Sequence, residues 1–96
     1  MNKFYVSEDI AEKLQAKGYP HSHIIHFDNG IPIARIDEVL DWLREKDIQV
    51  APWYHRIKKQ WSCTVSYNNG EYNTILYNDY TDAAMGGIKY VIDNLI

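Results

Sequence analysis

The sequence predicts a single α+β domain in which two N-terminal helices and one C-terminal helix pack on one face of a three-stranded antiparallel sheet. The 96 residues provide enough chain for one hydrophobic core and too little for two. Apolar residues recur with a helical period near both ends of the chain, and with a period of two between them. That order of elements is typical of an α+β domain. No repeat or linker interrupts residues 1–96, so we predict one domain.

The first helix is predicted to begin after Ser7. Ser7 is a favourable N-cap residue, and Glu8 and Asp9 follow it in the first turn, where the helix dipole favours negative charge. Gly18 stands where a left-handed residue ends a helix, and Pro20 prevents continuation.

A second helix is predicted from an apolar stripe with the spacing i, i+3, i+4, i+7, formed by Ile36, Val39, Leu40 and Leu43. Between the two helices, the segment from Pro20 to Arg35 contains two prolines, an Asn-Gly pair and three histidines. This composition predicts an irregular or short extended connection.

The sheet is predicted from residues 48–77. From Trp61 to Tyr67 apolar and polar residues alternate, which predicts a strand with Ser62, Thr64 and Ser66 on its polar face. The turn signal Asn68-Asn69-Gly70 then predicts that Tyr72 to Tyr77 returns as an antiparallel partner.

The third strand of the predicted meander is Ile48 to Tyr54. Pro52 lies within it and has no N–H to donate, which favours an edge position or a strand end.

The last helix is predicted to start at a Thr81 cap and to run to about Leu95. Its inward stripe is Ala84, Ile88, Val91 and Leu95. The pair Gly86-Gly87 inside it costs about 1 kcal/mol per glycine relative to alanine. We therefore expect a close contact at the glycines, with the sheet as the partner.

Four segments together resemble a group of small proteins from gut-bacterial and phage genomes that has no assigned function. They are the opening from Val6 to Tyr19, Val39 to Lys46, the tyrosine-rich hairpin, and Tyr80-Thr81 followed by Ala84. The resemblance spans most of the chain and implies a fold rather than a chemistry, because the shared positions are typical of caps, helix stops and core. Ala84, in place of an acid at N3, and Arg35, near the place of a hydroxyl N-cap, depart from the pattern.

Charge and cysteine content limit the classes of function. Ten Lys/Arg against thirteen Asp/Glu give a net charge of −3, which disfavours a mainly electrostatic nucleic-acid binder. No apolar run approaches the roughly 18 residues that a bilayer span needs, and residues 1–9 turn acidic before a signal peptide could form. The single Cys63 forms no internal disulfide. We expect a cytoplasmic protein that does not contact membranes.

Two features of the sequence are candidates for metal or catalytic chemistry. His21, His23 and His26, with Asp28, are weak candidates for a metal site, because all of them lie in one short stretch. Ordinary loop histidines are the favoured interpretation. Cys63 lies mid-strand on the apolar face, which predicts an inert core thiol rather than a nucleophile. No phosphate loop, nucleophile elbow or dinucleotide motif is present. We expect no cofactor and no enzymatic activity.

Aromatic residues flank a group of basic ones around the first strand connection. Arg56, Lys58 and Lys59 lie in this connection, between Trp53 and Trp61. Single-stranded nucleic acid is held by such a combination, although a solvated loop is the simpler interpretation, given the acidic chain.

Tyrosines are unusually frequent, eight in all. Large amphipathic rings are favoured at protein interfaces. The candidate interface residues are Trp53, Tyr54, Tyr67, Tyr72, Tyr77 and Tyr80. We therefore expect a non-enzymatic protein-interaction domain, with self-association as one form of it. The alternative is a weak nucleic-acid-binding protein that uses the basic and aromatic connection.

Overall fold

The computed structural model describes residues 5–20, 24–28, 31–68 and 70–96, and gives the backbone alone for 24–28 and 31–33. The elements in chain order are α1 (Glu8–Ala16), β1 (Ile24–Asp28), β2 (Ile31–Ala34), α2 (Ile36–Arg44), β3 (Ile48–His55), β4 (Gln60–Tyr67), β5 (Gly70–Asn73) and α3 (Tyr80–Asn94). The predicted class is confirmed: two N-terminal helices and one C-terminal helix accompany an antiparallel sheet of order β3-β4-β5.

Strands β1 and β2 form a two-stranded antiparallel hairpin where the sequence predicted an irregular or short extended connection. Asp28 pairs with Ile31, so the connection between the strands is two residues long. The physical reason is that β-branched residues flank an Asn-Gly pair, which is a strong hairpin signal. The neighbouring histidines and prolines concealed it.

One face of the β3-β4-β5 sheet carries the core. Helix α3 packs across β3 and β4, and α2 packs on β3. The strands supply alternate residues to this inner face, among them the buried Val50, Cys63 and Val65. The smallest dimension of the molecule is 18 Å, which accommodates one layer of helices on one sheet.

The two glycines of α3 lie where the helix approaches the sheet most closely. A β-carbon added at Gly87 would lie 2.5 Å from Cys63 Sγ and 2.8 Å from Val50 Cγ1. A β-carbon at Gly86 would lie 2.8 Å from Cζ of Tyr77. The expected close contact with the sheet is therefore confirmed, because at these separations a methyl group overlaps its neighbours.

Helix α1 begins and ends as predicted. Ser7 is its N-cap residue, although no side-chain cap hydrogen bond forms. At the other end Gly18 has φ 90°, and the N–H groups of Gly18 and Tyr19 donate to the carbonyls of Gln15 and Leu14. These two hydrogen bonds form the Schellman motif, which satisfies carbonyl groups that have no hydrogen-bond partner within the helix.

The N-cap residues of the other two helices carry no hydroxyl group. Arg35 occupies the N-cap of α2 without capping it, and its guanidinium binds Asp37 at 2.9 Å, which lowers the pKa of that carboxyl. Helix α3 is capped by Asp79, whose Oδ1 accepts from the N–H of Asp82 at 2.8 Å. The prediction of a Thr81 cap was wrong, because a carboxylate two residues earlier both caps the helix and complements its dipole.

The sheet edges follow the prediction for Pro52 and modify that for β5. Strand β3 is an edge strand, so one of its sides faces no other strand. A proline whose nitrogen faces that side removes no hydrogen bond between strands, which accounts for Pro52 at this position. Strand β5 begins at Gly70 and ends at Asn73, and Tyr77 rejoins the sheet through an isolated bridge to Trp61. Between them the Thr74 hydroxyl accepts from the N–H of Cys63, which replaces a backbone acceptor.

Candidate binding surface at the hairpin end

Strands β3 and β4 are joined by a turn of four exposed residues, Arg56, Ile57, Lys58 and Lys59. The N–H of Lys59 donates to the carbonyl of His55 at 2.8 Å, which closes the turn. Lys59 adopts φ 53°, the left-handed region that glycine or asparagine occupies at lower cost. A cation therefore stands at a position where local backbone energetics favour another residue.

The three cations of this turn belong to no ion pair among the residues that the structure describes. Three cations elsewhere are paired with carboxylates: Lys13 with Asp93, Arg35 with Asp37, and Arg44 with Asp41. From residue 48 to residue 70 the sequence contains no Asp or Glu. The positive charge of the turn is consequently not neutralised within its own hairpin.

Large apolar side chains are exposed at the same end of the molecule. Trp53, Tyr54 and Tyr80 are 40%, 46% and 43% exposed, and Ile57 is 96% exposed. The rings of Tyr54 and Tyr80 are connected through Trp61, whose centroid lies 5.4 Å from each of theirs, while Trp53 lies on the other face of the sheet. We call residues 53–59, together with Trp61 and Tyr80, the hairpin-end surface.

Trp53 is held on the face of the sheet opposite the helices. Its Nε1–H donates to the hydroxyl of Thr64 at 2.9 Å, and that hydroxyl donates to Oδ1 of Asn73 at 2.7 Å, so the chain of hydrogen bonds crosses all three strands. The imidazole of His55 lies against the indole, with 3.9 Å between ring centroids. Ser62, directly opposite Trp53 in the register, is only 3% exposed. This burial corrects the expectation that Ser62 would be displayed on the polar face, and it fits an indole lying across the strands.

The predicted interface residues divide into two groups. Trp53, Tyr54 and Tyr80 lie on the hairpin-end surface. Tyr67 and Tyr72 instead pack against Tyr90 of α3, with a stacked centroid distance of 3.8 Å for the second pair. Tyr77 is half-buried over Gly86. Tyr67 and Tyr77 are therefore half-buried packing residues, whereas Tyr72 is stacked on α3 and still 38% exposed.

The residues predicted for nucleic-acid contact all lie at this same end. Arg56, Lys58 and Lys59 lie in the turn, and Trp61 contacts the rings of Tyr54 and Tyr80. The structure thus brings this set together with three members of the interface set. Ile57 and His55 were missed from the sequence. Ile57 stands between cations in a predicted loop, which is the signal that could have indicated its exposure.

Cys63 has the inert environment that its position predicts. It is completely buried beneath Gly87, and burial raises the pKa of its thiol to about 12. A thiol with so high a pKa holds almost no thiolate at neutral pH, and the thiolate is the nucleophile.

The histidine candidates for a metal site are not placed. His21 and His23 lie outside the described residues, and of His26 only the backbone is described, paired with Ile33. Within the described part of the chain, no group of three His, Cys, Asp or Glu side chains is placed to hold a metal ion.

Two open pockets lie away from the turn, where α2 leads into β3. Their volumes are about 290 and 320 Å³, and both are lined by Asp47, Ile48, Tyr67 and Asn68. Asp47 is the carboxylate that lines them. No helix of the described residues is both long and apolar enough to cross a bilayer.

A comparison of the sequence with protein-family models finds no match, and comparisons with curated proteins and with solved structures find none either. The resemblance to gut-bacterial and phage proteins therefore stays a prediction. The hairpin-end surface has to be interpreted from its own chemistry.

Proposed function

We propose that this chain is a non-enzymatic binding domain that holds an anionic partner on its hairpin-end surface. One observation supports the proposal above the others. At the hairpin end Trp53 is exposed on the outer face of the sheet, and Tyr54 and Tyr80 are exposed on the helix side. Between them lies a turn with an exposed Ile57 and three cations that form no ion pair with the described residues, in a hairpin without acidic residues. Exposed aromatic patches beside unneutralised charge are typical of binding surfaces.

A partner other than a second copy fits this charge distribution best. In a two-fold symmetric dimer through the hairpin end, the turn of one copy faces the turn of the other. Arg56, Lys58 and Lys59 of the two copies would then repel each other. The acidic residues of the chain lie outside residues 48–70, so this hairpin has no carboxylate of its own to pair with the cations of a second copy's hairpin. Self-association through another surface stays a prediction, for which light scattering is the measurement.

The non-enzymatic part of the proposal has its own support. The buried thiol of Cys63 has a raised pKa, and the pockets beside α2 bring a single carboxylate, Asp47, to their walls. General acid and base catalysis needs groups of matched pKa within reach of one another. A reducing cytoplasm is the compartment that we propose, because Cys63 is a free, buried thiol.

Retention on heparin–agarose at pH 7.5 and low salt tests the proposal. At that pH the chain is negatively charged, since its isoelectric point is about 5.7, and an evenly charged protein would flow through. We expect retention, and its loss in the triple variant Arg56→Gln, Lys58→Gln, Lys59→Gln.

The matched control removes the same charge elsewhere, with Lys13→Gln, Lys17→Gln and Lys89→Gln. These three side chains are exposed and lie on or at the ends of α1 and α3. We expect the control variant to be retained like the wild type. If the wild type flows through, or if both variants lose retention equally, the proposal is wrong.

A further inference from the structure

We infer that the anionic partner is single-stranded nucleic acid, and that an unpaired base stacks on Trp53 while its phosphates meet the cations of the turn. The inference rests on the proposed function and adds the identity of the partner. Its starting point is the sheet face opposite the helices, beside the hairpin end.

This outer face is open and polar. Beside Trp53 it carries Thr64, Ser66 and Asn73, which are half-buried or exposed, and it shows hydroxyl and amide groups to solvent. The helices α2 and α3 pack on the strands from the side of Val50 and Cys63, which alternate with these residues. Open sheet faces that present aromatic rings stack unpaired bases in many nucleic-acid-binding modules.

Trp53 is fixed in orientation before any ligand arrives. Its indole N–H is held by Thr64, and its ring lies against His55, so the side chain does not have to be ordered on binding. Preorganisation of this kind reduces the entropy lost on association. With 40% of Trp53 exposed and His55 half-buried, ring surface remains open for a base to continue the stack.

The cations follow directly in the chain. Arg56 is the residue after His55, and Lys58 and Lys59 complete the turn, so stacking rings and phosphate-binding groups adjoin. Acidic residues border the site on two sides: Glu71 on β5, and Asp79 and Asp82 at the start of α3 beside Tyr80. A polyanion therefore meets the least repulsion along β3 and the turn. This distribution of charge is complementary to a phosphate backbone that runs along β3 and the turn.

Single strands fit this surface better than the other anionic partners. The bases of a duplex are already stacked on each other and cannot stack on Trp53. A duplex would therefore gain only the phosphate contacts of the turn. A segment of Asp and Glu would use Arg56, Lys58 and Lys59, but these acidic side chains carry no aromatic ring to stack on the indole. Stacking on an aromatic ring tolerates every base, so we expect little sequence preference.

The net charge of −3 disfavours a nucleic-acid partner if the charge is treated as spread over the whole chain. The charges are separated along the chain: residues 48–70 carry three cations and no carboxylate, and the acidic residues lie outside this hairpin. A local cluster of three cations predicts a small site. Each phosphate contact to a single strand contributes about −0.7 to the slope of log K against log salt, so we expect a slope of about −2.

Tryptophan fluorescence during titration with an oligothymidine of about ten nucleotides is the experiment, because single-stranded sites span a few nucleotides. We expect quenching, affinity well above that for a duplex of the same length, and the salt slope given above. Trp53→Leu is expected to weaken binding about tenfold, in line with the loss of one stacked base. Tyr72→Leu is the matched control, because Tyr72 is an exposed ring on the helix-side face, and it should leave affinity unchanged.

The outcomes separate the inference from the proposed function. If duplex and single strand bind equally and Trp53→Leu has no effect, the inference is wrong while the anionic partner stands. If polyglutamate binds more tightly than oligothymidine, the partner is an acidic protein and the inference is again wrong. If the protein is not retained on heparin and binds no oligonucleotide, the proposed function fails as well.

Discussion

The two faces of the β3–β4 ribbon are built from alternate residues of the same strands, yet they differ in how much space surrounds them. On the inner face α3 lies so close that Gly87 has no room for a methyl group above Cys63 and Val50. On the outer face an indole lies 40% exposed, held by one hydrogen bond to Thr64 and by its contact with His55. Strand alternation assigns residues to a face, but only the helix placement decides which face is closed.

The same contrast separates the aromatic residues. Tyr67 packs against Tyr90 of α3 and is half-buried, whereas Trp53 and Tyr54 have large exposed fractions beside the turn cations. One residue class is thus packed inside the fold at some positions and exposed to solvent at others.

Gly87→Ala is expected to cause the largest loss of stability. The added methyl overlaps Cys63 Sγ and Val50 Cγ1, and overpacking of this kind costs about 1–3 kcal/mol, which outweighs the gain in helix propensity. Urea unfolding followed by circular dichroism gives the change. Gly86→Ala is the matched variant and should cost less, since the end of the Tyr77 ring can move. A Gly87→Ala protein at least as stable as the wild type would show that the inner face is not closed.

The inner face should also make stability depend on alkaline pH. Burial raises the pKa of the Cys63 thiol from 9.0 to about 12. The unfolded chain therefore loses this proton before the folded chain does, and the free energy of unfolding falls as pH rises from about 9 to about 12. Urea unfolding between pH 8 and pH 11 measures the fall.

Cys63→Ala isolates the share of the thiol, since burial also raises the pKa of Tyr19 and Tyr77. The variant should lose part of the pH dependence. Identical pH profiles for the two proteins would contradict a buried thiol with a raised pKa.

Lys59→Gly is expected to stabilise the fold and to weaken binding. Lys59 has φ 53°, and glycine reaches that region at a cost lower by about 1 kcal/mol. Thermal unfolding should shift upward while retention on heparin decreases. Lys58→Gly in the same turn is the comparison and should not stabilise the protein, since Lys58 is not among the residues with positive φ. Lower thermal stability in Lys59→Gly would contradict the prediction.

Ile57→Ser should change stability least. A side chain that is 96% exposed in the folded chain contributes almost no burial, so the free energy of unfolding should stay within about 0.5 kcal/mol of the wild type. Unfolding at two protein concentrations checks this. A loss that grows with concentration would mean that a second copy covers Ile57 in the wild type.

Much of the fold could be predicted from local signals. The apolar stripe of α2, the Gly18 stop of α1 and the alternation from Trp61 to Tyr67 each depend on residues close in sequence. The Thr81 cap was misplaced because two residues with similar capping preferences stand near each other, and the carboxylate of Asp79 prevails. The β1–β2 hairpin was missed because its turn signal lay among histidines and prolines.

The candidate site was predictable only in its parts. The basic residues of the turn were grouped with Trp53 and Trp61 from the sequence, but the contacts of Trp61 with Tyr54 across the strands and with Tyr80 of α3 are tertiary. Whether a tyrosine packs inside or lies open is a tertiary property. The hydrogen bonds that fix Trp53 likewise join residues from three strands, Thr64 and Asn73 among them.

The side-chain indole N–H signals of the three tryptophans provide the most direct test of an anionic partner at the hairpin end. In a ¹⁵N-labelled protein titrated with oligothymidine at low salt, the Trp53 signal and the amides of residues 56–59 should shift together. Trp42 is buried beside Tyr19 at the far side of the core, so its signal should stay in place. Shifts at Trp42 without shifts at Trp53, or no shift in the turn at saturating oligonucleotide, would contradict a binding surface there.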